Sequence, residues 1–441
     1  MLIEFRVGNF RSFKDPITFS MVAANIAAAD KSLDEQNVAT IDDELTLLRS
    51  AAIYGANGSG KSNFALAIKF VRSFVVRFKE TQIGEEIKVE NFRLSDETRG
   101  KPSSFEVVFI LEGIKYRYGF EVDKEQVHAE WLFHVPKTKE AKLFERTGVN
   151  IIPSKTFKEA RGLEDKTRNN ALFLSVLAQF NGPIARKILK WFQYLNVITG
   201  LSDNGYRRYT VACLQDDLHT EEILSFIKEL DLGFDNILVE APDIRIANES
   251  HIHESEVETG DLSDDPTVSR QNRFSIPRRG RGQLITVHRS FDEQGHPSSF
   301  ESFDIDKNES EGTRKLIYLA GPLIDTLKHG KVLFIDEFDA RLHPLITHQI
   351  ISLFNSNVTN PNNAQLIFAT HDTNLLSNRL FRRDQIWFAE KDKLGATHLF
   401  SLVEYKVRND ASFEKDYIGG KYGAIPFIGD FAQLLGHGDG K

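Results

Sequence analysis

Eight consecutive residues concentrate the chemistry of this chain: Gly55-Ala-Asn-Gly-Ser-Gly-Lys61-Ser62. They match the spacing G-x-x-x-x-G-K-[ST]. Glycines at 55, 58 and 60 let a backbone loop wrap an anion without Cβ clashes. The amides of Gly58 to Ser62, at the positive end of a following helix, would face phosphate oxygens. Lys61 would reach the terminal phosphates of a nucleotide, and the Ser62 hydroxyl would take a Mg2+ position. Asn57, Ser59 and Asn63 complete the expected phosphate-side set.

A second cluster is Val332-Leu-Phe-Ile-Asp336-Glu337, an apolar strand ending in two acids. Asp336 at the strand tip can hold Mg2+ through water, and Glu337 is placed to activate an attacking water. Taken alone, the same letters fit an ordinary strand running into a solvated acidic turn. The phosphate loop elsewhere in the chain favours the catalytic reading.

These residues need particular elements to position them. Residues 49–54 read as a short buried strand leading into the glycine-rich turn, and residues 62–78 as an apolar-periodic helix. Two short strands are expected within residues 1–20, and loop with a short helix over 22–46. Three antiparallel strands are expected at 104–111, 115–122 and 127–134, forming an arm. Helical periodicity recurs near 157–180, 183–197, 219–231, 311–328 and 344–355, and strands are expected at 331–335, 364–369, 385–390 and 396–402. Residues 249–265 hold seven acids and no Lys or Arg, whereas residues 270–289 hold six Arg and no acid. Such blocks predict a solvated insertion outside the catalytic core. The glycine-rich tail, residues 436–441, is expected to fray. The organisation expected is a first lobe over 1–150, a helical lobe with the charged insertion over 151–300, and a second lobe over 301–441.

The chain has 441 residues, 41% hydrophobic and 27% charged, which excludes wholesale disorder. With 55 Lys and Arg against 63 Asp and Glu, the net charge is −8, so any nucleic-acid surface must be local. The single cysteine, Cys213, allows no disulfide framework. No apolar run is long enough for a membrane span, and the N-terminus lacks a signal-peptide core. A cytoplasmic α/β protein is expected.

Lys61 and Asp336 lie 275 positions apart (61 to 336). That separation resembles ABC/SMC-type ATPases, whose heads are split by an insertion. Further segments resemble bacterial AAA-family ATPases of the RloA/AbiLi type, OLD-like and SMC-related, with the PARIS ATPase AriA as an architectural relative. They are Asn9-Phe-Arg-Ser-Phe13, Ala56-Asn-Gly-Ser59, Tyr116-Arg-Tyr-Gly-Phe120, Leu172-Phe-Leu-Ser175, Asp336-Glu-Phe-Asp339 with Leu342-His-Pro344, Thr370-His-Asp-Thr-Asn-Leu375, Asp384-Gln-Ile-Trp-Phe388 and Lys421-Tyr-Gly-Ala-Ile-Pro426.

The resemblance implies a P-loop ATPase head with a mixed sheet, an antiparallel β arm and an inserted helical lobe, binding ATP and Mg2+. It makes Glu337, His371 and Lys61 catalytic, with His371 as a switch residue at a strand tip. Arg11 and Ser12 would lie near the nucleotide. Ser310 and Gly312, in Glu309-Ser-Glu-Gly-Thr313, resemble a signature motif that contacts a neighbour's γ-phosphate, and Asp339 a D-loop. The signature departs from the family in carrying Glu311 where Gly is usual, and its letters equally fit a helix cap. Gln179 is a candidate Q-loop residue. The family implies a homodimer or higher oligomer that acts in anti-phage, abortive-infection defence. Its partner would be a co-encoded effector, typically a Toprim-like nuclease, and its trigger a phage protein. The alternative is a DNA-repair or DNA-clamp ATPase of the SMC/RecF type, with DNA as partner.

Overall fold

The computed structural model describes residues 1–76, 85–203, 205–240, 282–408 and 411–426. Residues 249–281 of the charged blocks and the tail at 436–441 lie outside the described residues. Five strands run parallel in the spatial order Leu195–Thr199, Val332–Asp336, Gln365–Ala369, Ser50–Tyr54, Ile386–Lys391, and Thr397–Ser401 closes the edge antiparallel. Successive side chains alternate between two cores. Ala51, Ile53, Phe334, Ile367 and Trp387 face one, and Ala52, Tyr54, Leu333, Ile335, Leu366 and Phe388 the other. A sheet buried on both faces requires such uninterrupted apolar strands.

The order of these strands positions the chemistry. The strand ending before His371 (Gln365–Ala369) lies between the phosphate-loop strand and the one ending in Asp336. Three chain segments remote in sequence therefore deliver their polar tips to one edge of the sheet, outside the carboxyl ends of parallel strands.

A second, seven-stranded antiparallel sheet has the order Asn150–Pro153, Ala141–Thr147, Val127–Val135, Ile114–Val122, Ser103–Leu111, Leu2–Gly8, Ile17–Ser20. The phosphate-loop helix, Lys61–Val76, packs between the two sheets. Its Phe64 ring lies 5.6 Å from Phe5 and 5.3 Å from Phe19 on one side and 6.0 Å from Phe334 on the other. Buried Gln365 also ties the sheets together: its Oε1 accepts from Leu2 N at 2.6 Å, and its Nε2 faces Leu2 O at 3.0 Å and Leu48 O at 3.1 Å.

Against the other face of the parallel sheet lies the helix Glu311–His329, capped by Ser310, whose side chain accepts from Thr313 N. Pro322 sits inside this helix and removes the amide that would bond Tyr318 O. The Thr210 hydroxyl of helix Arg207–Gln215 donates to that carbonyl instead. Gly321 permits the approach, since a Cβ there would lie 2.5 Å from Thr210 Oγ1.

Several sequence expectations are corrected. The helix expected over 183–197 ends at Gln193, because Leu195–Thr199 pairs with Val332–Asp336 as the outer parallel strand. Within 157–180 only Phe173–Gln179 is α-helical, preceded by the single 3-10 turns Lys158–Ala160 and Glu164–Lys166. Helix Arg207–Gln215 was not anticipated. The end of the arginine block, expected as solvated insertion, forms a strand: Gln283–Phe291 pairs with Asn236–Glu240 and with Pro297–Asp304 in a three-stranded sheet. The parallel sheet draws strands from all three expected segments, 1–150, 151–300 and 301–441. Among the described residues no helix is long and apolar enough to cross a membrane.

Candidate nucleotide-binding site

The phosphate loop borders a cavity of about 780 Å³. Asn57, Gly58, Ser59, Gly60, Lys61, Ser62 and Asn63 line one side, and Glu337 and His371 join them across it. Lys61 is 5% exposed, and its Nζ donates to Gly55 O at 2.8 Å and Ala56 O at 3.2 Å. Burial draws its pKa below the usual lysine value, while the charges of Glu337, Asp336 and Asp339 push the other way. Those carboxylates hold a cation where phosphate would arrive.

The loop is shaped by the edge hairpin of Ile386–Lys391 and Thr397–Ser401. Gly60 has φ +112°, and a Cβ there would overlap Thr397, whose Cγ2 would lie at 2.7 Å. A side chain at Gly55 would meet Ser59 Oγ at 2.6 Å and the Ala389 carbonyl. The Thr397 hydroxyl lies 2.8 Å from Ser59 O and 2.8 Å from Ser12 Oγ, which accepts from Asn63 Nδ2 at 2.8 Å. Both glycines are thus fixed by close packing against the edge hairpin as well as by phosphate access.

Glu337 adopts φ +52°, an unfavourable region for a residue with a Cβ. Four contacts hold the turn there. Phe338 N donates to Ala369 O at 3.0 Å, and Gly200 N to Asp336 O at 2.6 Å. Lys315 Nζ donates to Phe338 O at 3.0 Å and Ala340 O at 2.6 Å. Gly200 also leaves room, since a Cβ there would overlap the Glu337 carbonyl. Lys315 is 4% exposed, and burial lowers its pKa to about 8.

His371 Nε2 lies 3.8 Å from Glu337 Oε1. Burial lowers the His371 pKa, and the Lys61 charge lowers it further against the opposing Glu337 and Asp339. The imidazole is therefore kept neutral near pH 7, able to donate from one nitrogen and accept at the other. Its backbone amide donates to Asp339 Oδ1 at 3.3 Å, which fixes the loop that carries the ring.

The residues fit a Mg2+ ion. Asp336 is 7% exposed, and its Oδ1 is buried with no hydrogen-bond partner among the described residues. Burial is the largest influence on its pKa, which lies above the usual carboxylate value, and the hydrogen bond to Ser62 pulls it down. A buried carboxylate with an unused oxygen beside a hydroxyl is a hard-oxygen donor pair of the kind Mg2+ takes. Ser62 and Asp336 would hold the ion, which would neutralise phosphate oxygens when bound.

Other expected site residues lie outside the lining of this chain's own cavity. Arg11 pairs with Glu90 at 2.6 Å, and Ser12 braces Asn63 and Thr397. Gly55 lies under the loop. Ser310 and Gly312 start the Glu311–His329 helix, where a Cβ at Gly312 would lie 2.8 Å from Arg341 O. Asp339 acts through the His371 backbone. Gln179 is exposed at a helix end and does not reach the cavity. Sequence reasoning missed Lys391 and Leu201, which line the cavity, and Lys315, Gly200 and Thr397, which shape it. Only Lys391 left a signal, as a lysine just past the end of the strand expected at 385–390.

These elements make a P-loop α/β arrangement, with a phosphate loop, an acid-tipped strand and a histidine-bearing strand between them. Among solved structures, the SMC head domain from Thermotoga maritima is similar at 14% identity and a TM-score of 0.37, covering 91% of this chain and 98% of that one. No curated protein matches. A family model described as "AAA domain, putative AbiEii toxin, Type IV TA system" matches residues 50–377, about three quarters of the chain. The chain therefore belongs to that AAA domain family.

Proposed function

We propose that this chain is an ATPase that binds ATP with Mg2+, hydrolyses it between two copies of itself, and uses its nucleotide state to control a partner effector nuclease in anti-phage defence. The observation that carries the hydrolytic part is the convergence of Lys61, Glu337 and His371 on one cavity, with the Ser62–Asp336 pair beside the loop. Lys61 leaves the Gly55 and Ala56 carbonyls to take a terminal phosphate oxygen. Glu337 accepts the proton of the attacking water as the water oxygen bonds to the γ-phosphorus, and the bond from that phosphorus to the β–γ bridging oxygen breaks to release ADP and phosphate. Neutral His371 orients that water or the γ-phosphate, and Lys61 offsets the developing charge. Ser310 and Gly312, which do not line their own chain's cavity, serve the phosphate of a neighbouring copy. The defence role is supported by the family description, which names a toxin and a toxin–antitoxin system.

The test is ATP turnover by purified protein with Mg2+, alone and with its genomic neighbour's product. Phosphate release that disappears in Glu337→Gln supports the enzyme. A nuclease that copurifies and cuts only in one nucleotide state supports the regulatory role. Turnover stimulated several-fold by DNA alone, with no such partner, refutes that role and favours a DNA clamp.

A further inference from the structure

Far from the phosphate loop, the helix Glu311–His329 carries Asp325 and His329 one turn apart near its C-terminal end. Residues four apart share one helix face. His219, just before helix Thr220–Glu229, packs against that face. One donor atom from each of these three residues lies within 4.8 Å of the others.

Several features distinguish this cluster from an ordinary ion pair. His219 sits at φ 60° and makes no capping bond with its side chain. Its Nε2 is buried with no hydrogen-bond partner among the described residues. His329 uses Nδ1, which lies 3.0 Å from both the backbone O and the Oδ1 of Asp325. Nδ1 and Oδ1 stand at about the separation of two donors on one ion, so a metal would replace the proton they share. The two rings meet edge to face, 5.3 Å between centroids. The helix C-terminus adds the negative end of its dipole.

We propose that His219, Asp325 and His329 bind one divalent transition-metal ion of the zinc class. Two imidazoles and one carboxylate are a donor set that such ions favour over Mg2+. Lys331 and Tyr209 compete for this carboxylate: Lys331 Nζ holds Asp325 Oδ1 at 2.8 Å and Oδ2 at 2.6 Å, and the Tyr209 hydroxyl also hydrogen-bonds it. The Lys331 ammonium balances the 2%-exposed carboxylate when no ion is bound. The metal takes one carboxylate oxygen and leaves Lys331 the other. The ion would clamp helix Thr220–Glu229 to the end of the Glu311–His329 helix, directly before the strand that delivers Asp336.

Chelator-stripped full-length protein is titrated with Zn2+ by calorimetry, without nucleotide. One equivalent binds, and Mg2+ in excess does not displace it. His219→Ala and His329→Ala each weaken binding by at least about tenfold. Lys331→Met, which frees the carboxylate, strengthens it. X-ray absorption of the zinc-loaded wild type shows two imidazole nitrogens with oxygen ligands, and decides the matter if the variants fail to fold. Absence of a one-equivalent site overturns the proposal. So does a zinc shell without imidazole, or binding that survives both histidine substitutions, as uptake only at Asp336 and His371 would.

Discussion

Lys61→Ala and Glu337→Gln separate binding from chemistry, and the structure sets how far apart they fall. Lys61 is nearly fully buried and points into the loop that would cradle phosphate. A hydrogen bond between charged groups in such a place contributes about 1.5–3 kcal/mol. At about 1.4 kcal/mol per factor of ten, its removal weakens ATP binding by roughly 10- to 150-fold. Glu337 lies across the cavity and bears a charge that repels the γ-phosphate. Its replacement by Gln keeps the side chain's size and removes that repulsion, so ATP affinity holds or rises. Hydrolysis loses its base and falls by roughly 100- to 10,000-fold. The assay is titration of fluorescent ATP with Mg2+, followed by single-turnover phosphate release on each variant. Equal loss of affinity in both variants refutes the division of roles. Unchanged single-turnover rates in Glu337→Gln would remove Glu337 from the chemistry.

Three further predictions follow from other parts of the chain. Lys315 titrates near 8 when folded but near ~10.4 when unfolded, so between those values the unfolded state binds more protons and stability rises with pH. The neutral amine still serves both carbonyls. Denaturant titrations at pH 7.5 and 9.5 should show wild type gaining on the order of 2 kcal/mol relative to Lys315→Met, and parallel pH profiles would refute the buried ammonium. Glu240 pairs directly with Gln283, so the ends of the charged insertion are adjacent and a short Gly/Ser linker can replace residues 242–280. The cut must spare Gly282, which packs against Gln215 and Val239, and ATP turnover should persist; loss of folding by circular dichroism would place the insertion in the core. Ser310→Arg should bind ATP normally yet hydrolyse it poorly, and mixing it with Lys61→Ala should restore activity at one composite site per pair. A flat activity curve against mixing ratio, with subunit exchange confirmed, would leave Ser310 as a helix cap.

The sequence by itself determined the features whose causes are local. The phosphate loop is legible because Gly58 and Gly60 answer backbone needs within a few residues, and Lys61 opens an amphipathic helix. Strand Val332–Asp336 and helix Pro344–Asn355 are legible because their own side chains carry the apolar pattern, with Pro344 at the helix start. Tertiary structure alone decided what those elements meet. Strand Leu195–Thr199 followed a helix too closely to be read, and became a strand because an apolar edge at Val332–Asp336 needed a partner. Strand Pro297–Asp304 is exposed along nearly all its length and needs no apolar alternation, so it left no pattern to read. Thr397, Gly200 and Lys315 shape the site through contacts across more than 100 positions of chain, with Ser59, Gly60 and the Glu337 turn, or through carbonyls that any residue would supply. Backbone carbonyls carry no side-chain signature, so no pattern in the letters could have announced that Lys315 holds the Glu337 turn in its strained conformation.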